Sequence, residues 1–146
     1  MRNALLLCPA ALLAAGLVTA PAQAQGRPTG TFLACFASKS MPGGVSTRLN
    51  LTVVAPEKTM SGEVAMTQAT NPPLDVHLPV KGSYKDVRGL HHATLAGPEM
   101  PGRHVKMNLV ISKNWKAATG AYTLWLDTPG GVKKGKLSLH GTPCNK

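Results

Sequence analysis

The chain has 146 residues, with 16 Lys and Arg against 6 Asp and Glu and a formal charge of +10. A chain this short excludes two independently folded domains. Its excess of base points away from cationic partners and toward anionic ones, because a field of one sign concentrates counter-ions of the other.

The amino terminus carries the three parts of a secretory signal. Arg2 is the positive head, Ala4 to Thr19 is almost wholly apolar, and Ala22 and Ala24 give the small-x-small spacing that signal peptidase admits. Cleavage before Gln25 is expected, which places the product in the periplasm or outside the cell. The apolar run is shorter than the roughly 20 residues a membrane-spanning helix needs, and Pro9 interrupts it. Leu7 before Cys8 is too large for a lipoprotein site. No later stretch is long and apolar enough to be transmembrane. Removing residues 1–24 takes away only Arg2 among the charged residues, so residues 25–146, read as a single all-β domain, keep a balance of +9. Cys8 leaves with the signal. Cys35 and Cys144 remain as a pair in an oxidising compartment, where a disulfide is the default.

Along residues 25–146, turn-forming clusters recur about every fourteen residues. They are Met41–Gly44, Pro56–Lys58, Asn71–Pro73, Asp86–Gly89, Pro98–Gly102, Ser112–Asn114 and Thr128–Gly131. Glycine accepts positive φ and proline cannot donate to a ladder, so the clusters that hold them end strands. The segments between them alternate with period two. Leu49, Leu51 and Val53 share one face against Arg48, Asn50 and Thr52. Leu74, Val76, Leu78 and Val80 oppose Asp75, His77 and Lys81, and Pro79 marks that strand as an edge, a bulge or a break. Val105, Met107, Leu109 and Ile111 oppose His104, Lys106 and Asn108. Ala117 to Leu126 is apolar on both faces, with Tyr122 and Leu124 on one and Trp125 on the other. Leu137 and Leu139 oppose Lys136, Ser138 and His140.

Seven turns delimit eight extended segments. That pattern is expected to form an eight-stranded antiparallel up-and-down β-barrel, with a two-sheet β-sandwich as the alternative. The cysteines favour closure: Cys35 lies in the first strand and Cys144 just past the last, so a bridge needs the two ends side by side. The shape resembles small ligand-binding barrels of the avidin and lipocalin kind, without any motif of those families, and architecture alone does not carry function.

Two sets of residues are candidates for binding. The basic set is Lys81, Lys85, Lys106, Lys133, Lys134 and Lys136, an anion-binding surface for anionic lipid, lipopolysaccharide or an acidic protein. These strands lack interleaved aromatics for base stacking, so no specific nucleic-acid binding is expected. The apolar set is Phe32, Met66, Tyr84, Met107, Tyr122, Trp125 and Trp115, a lining for a small apolar ligand if the barrel holds a cavity. Trp115, in a turn, is either exposed at the mouth or folded over it. The dyad His91-His92, near His104, Met100 and Met107, matches no metal-ligand spacing, and adjacent strand residues face opposite ways. Neither a metal nor a cofactor is expected. The six acids form no catalytic pair, and no hydrolase motif is present. The expected function is therefore that of an exported, non-enzymatic binding protein. The alternative is an inhibitor or immunity-type protein that blocks an extracellular enzyme through its turns, with a hydrolase or metal-binding role behind both.

Overall fold

Alternating apolar and polar residues commit each segment to a strand that buries one face, and eight such faces curl around a common interior. A computed structural model describes residues 30–39, 41–98, 102–127 and 131–144. The expected signal at 1–24 and its cleavage site lie outside the described residues. Strands β1 (Thr31–Ser38), β2 (Ser46–Val54), β3 (Thr59–Gln68), β4 (Leu74–Val87), β5 (Leu90–Ala96), β6 (His104–Ile111), β7 (Ala117–Trp125) and β8 (Val132–Gly141) follow in order. Each pairs antiparallel with the next, and β1 pairs with β8, closing an up-and-down barrel. The sandwich alternative fails because a sandwich needs two sheets, whereas one ladder runs unbroken around the molecule. No helix among the described residues is long and apolar enough to cross a membrane.

The inward residues form one continuous hydrophobic cluster. Phe36, Leu49, Met66, Leu95, Met107 and Ile111 are completely shielded from solvent. Burying a side chain of this size contributes about 1.5–3 kcal/mol against leaving it exposed. An eight-stranded barrel is just wide enough for such side chains to fill.

Closure requires the strands to bend. Gly62, Gly82 and Gly120 occupy inward positions on β3, β4 and β7, against the carbonyl oxygens of Asn50, Thr94 and Asn108. A Cβ at any of them would overlap that oxygen, so only glycine lets adjacent backbones come this close. The β4–β5 turn is two residues long, Arg88-Gly89, with φ of 52° and 81°. Two positive φ values match the twist of a hairpin. Pro79 is accommodated inside β4 because β5 pairs only from Lys81 onward, so residues 74–80 have β3 alone as partner. The edge reading of that proline holds.

The last seam is short. Phe36, Ala37 and Ser38 of β1 face Gly141, His140 and Leu139 of β8. The Cys35–Cys144 disulfide, with Cα atoms 5.3 Å apart, fastens it from outside the barrel. Beside it the Thr142 N–H donates to the Cys35 carbonyl at 2.8 Å.

Candidate functional site

Outward-facing side chains follow from the same alternation, and on half of the barrel they carry one sign of charge. Strands β5 to β8 contain no Asp or Glu. In register, Lys81 of β4 lies opposite Ala96, Ala96 opposite Lys106, Lys106 opposite Thr123, and Thr123 opposite Lys134. This row runs around the outside with lysines on alternate strands and small side chains between. The neighbouring row ends on Lys136, opposite Ala121, and Lys85 is opposite His92. Lysines on alternate strands stand roughly 10 Å apart, close to a Debye length at 0.1 M salt, so their fields overlap. Lys81, Lys85, Lys106, Lys134 and Lys136 are all exposed.

The acids on the strands sit elsewhere. Glu63 and Asp75, on β3 and β4, each lie 3.2 Å from a ring nitrogen of His77. Asp86, near the end of β4, accepts from Lys58 Nζ at 2.8 Å. An open groove of about 1250 Å³ borders the basic row, lined by Thr52, Val54, Ser61, Pro79, Lys81 and Ala96 among others.

Lys133 departs from the basic set. It shares the inward parity of Leu137 and Leu139, is partly buried, and donates from Nζ to Gln68 Oε1 on β3 at 3.2 Å. It belongs to the mouth of the barrel, not to the outer face.

The opposite end is plugged. Trp115 takes φ of 60° in the β6–β7 turn. The turn is fixed by Ser112 Oγ, which accepts from the N–H groups of Lys116 and Ala117 at 3.1 and 3.0 Å. The indole folds inward to 9% exposure. It packs edge-on against Phe32 and Tyr84, at 5.1 and 5.3 Å, and stacks on His91 at 4.5 Å. His91 is held by Asp86 at Nδ1, with Nε2 3.4 Å from the Lys113 carbonyl oxygen. Hydrogen bonds from Lys58 and His91 hold the Asp86 carboxyl below its ordinary pKa, while burial raises the Tyr84 phenol.

Of the seven residues of the apolar set, six lie in or against the one hydrophobic cluster, and Trp125 does not. Phe32, Tyr84 and Trp115 build the plug, and Met66 and Met107 lie fully inside the core. Tyr122, in the same core cluster, lays its ring over Gly135 of β8, where a Cβ would meet it, and burial raises its hydroxyl pKa. Trp125 faces outward, stacked on His104 at 4.1 Å and 11°. The Asp86–His91 contact escaped the sequence reading, which placed Asp86 in a turn. Its signal was the Arg88-Gly89 pair: a two-residue turn there makes 86 and 91 cross-strand partners. His91 and His92 do point to opposite faces, one buried and one exposed. Met100 lies outside the described residues. Among those described, no three His, Cys, Asp or Glu side chains are grouped to hold a metal ion.

Comparison with protein families matches residues 29–128 to a family described as a domain of unknown function (DUF1842). The match takes in β1 to β7 and stops short of β8. No curated protein matches the chain.

Proposed function

We propose that this chain, which belongs to the DUF1842 family, is an exported, non-enzymatic binding protein that holds an anionic partner on the outer face of β5–β8. The observation that carries the reading is the acid-free run of four strands with lysines in register beside Lys81. Exposed lysines with no carboxylate among them leave their field unspent, which steers and holds anions. The Cys35–Cys144 bridge is consistent with an oxidising compartment, where lipopolysaccharide phosphates and anionic lipid headgroups are the abundant anions.

Two features support an outer site over a catalytic or internal one. Both ring nitrogens of His91 face acceptors already, the Asp86 carboxylate and the Lys113 carbonyl, and Trp115 covers the ring. The inward side chains pack as one cluster. The test is binding of the purified protein to anionic vesicles and to lipopolysaccharide across a salt series. Binding should be strong at low salt and weaken steeply as the Debye length falls from about 10 Å at 0.1 M to about 3 Å at 1 M. Absence of binding to either at low salt would overturn the reading.

A further inference from the structure

A closed barrel ordinarily has no free strand edge, yet the stagger of the last seam leaves one here. β1 ends at Ser38, opposite Leu139, so among the described residues β8 from Val132 to Ser138 has β7 as its only strand neighbour. The direction of the backbone groups can be read from two bonds. The Gly141 N–H donates to the Lys116 carbonyl on the β7 side, and the Thr142 N–H donates to the Cys35 carbonyl on the β1 side. Directions alternate along a strand, so the N–H and C=O of Lys134, Lys136 and Ser138 face the gap. Among the described residues no backbone or side-chain group bonds to them from that side. The β1–β2 loop is tied instead to β3, where Gln68 Nε2 donates to the Gly43 carbonyl at 3.0 Å. Lys133, next to Lys134, reaches inward to Gln68 and not outward.

The residues whose backbone faces the gap are the ones whose side chains stand outward. Lys134, Lys136 and Ser138 are exposed, and no acid lies on β7 or β8. We propose that this edge accepts an extended acidic peptide as an added strand, with Asp or Glu at every second position. Main-chain bonds to Lys134, Lys136 and Ser138 hold the peptide, and carboxylates directly opposite the two lysines select it. The two ammonium groups recur at the period of a strand, about 7 Å apart, which matches alternate residues of the incoming chain. Edge lysines also repel basic strands, a second copy of β8 included, so the same pair that admits an acidic partner guards against self-pairing. The proposal rests on the basic-face reading above and narrows it to one kind of partner.

The experiment uses the purified protein and three synthetic peptides of equal length. The first alternates Glu with Thr and Val. The second has the same composition with its glutamates in one block. The third is the first with N-methyl groups on the amides that would face β8. Anisotropy measures affinity, and amide hydrogen exchange reports the edge. The alternating peptide should bind about tenfold more tightly than the block isomer and slow exchange at Lys134, Lys136 and Ser138. N-methylation should abolish both effects. The variant K134E/K136E, with substitutions confined to exposed positions, should prefer a peptide alternating Lys in place of Glu. Equal affinity for the two isomers, or binding without slowed exchange, overturns the edge and leaves a general anion surface. Binding of phosphatidylglycerol vesicles with no peptide binding does the same. Failure to bind any of these anions overturns the basic-face reading as well.

Discussion

Breaking the Cys35–Cys144 bridge should cost this barrel a large part of its stability. The cross-link closes a loop of 109 residues. Chain-entropy arithmetic for a loop of that length gives about 16 cal/mol/K, or about 5 kcal/mol at 25 °C. Domains of this size have net stabilities of about 5–15 kcal/mol, so the loss is at least a third of the total. Little else holds the seam, because β1 and β8 meet only over Phe36–Ser38 and Leu139–Gly141. Freed from the disulfide, the end of the chain can also lose the Thr142-to-Cys35 hydrogen bond, worth about 1 kcal/mol. The assay is urea unfolding of the oxidised protein and of a C35S/C144S variant, followed by tryptophan emission. A midpoint shift equivalent to about 4–6 kcal/mol is expected. A difference below about 1 kcal/mol would refute the reasoning, since it would mean that the seam holds the ends together unaided.

Replacing Trp115 by Ala should cost about 3–5 kcal/mol, the usual range for a buried large aromatic, and should expose Phe32 and Tyr84 to a solvent quencher; unchanged melting would show that the plug is decorative. G82A should destabilise by about 3 kcal/mol or more, because the new methyl meets the Thr94 carbonyl and not a yielding side chain, as read by denaturant midpoint. Asp86 has a folded-state pKa below its unfolded value, so its stabilising effect is present above the unfolded pKa, about 3.9, and is lost as pH falls through the lower folded value. D86N should therefore be less stable at neutral pH and lose less on acidification, and an acid limb as steep as the parent's would show that another carboxylate governs it.

Much of the barrel was legible because its strands bury one face each. Leu49–Val53, Leu74–Val80, Val105–Ile111 and Leu137–Leu139 alternate without a break, and the cysteine positions required the first and last strands to meet. What escaped was decided by parity at strand ends and by stagger. Lys133 and Lys134 are chemically identical neighbours, and only the count back from Leu137 sends one into the mouth and the other outward. Trp125 shares parity with the outward residues of β7, which removes it from any interior lining. Gly62, Gly82 and Gly120 each stand at an inward position of their strands, a pattern that marks where a barrel wall folds. The plug needed the hairpin register that pairs Asp86 with His91, and composition does not supply register. The open edge of β8 depends on where β1 stops, a consequence of stagger that no local sequence pattern encodes.

The most direct measurement of the central claim is the salt dependence of polyanion binding by the parent protein and by K106E/K134E/K136E, with R48E/R88E/K113E as a charge-matched control at exposed positions away from the row. The account predicts tight binding at low salt, a steep fall by 1 M, near-complete loss in the triple variant, and modest weakening in the control. Equal weakening in both variants would mean that net charge alone does the binding, and the assignment of the site to the β5–β8 face would be wrong.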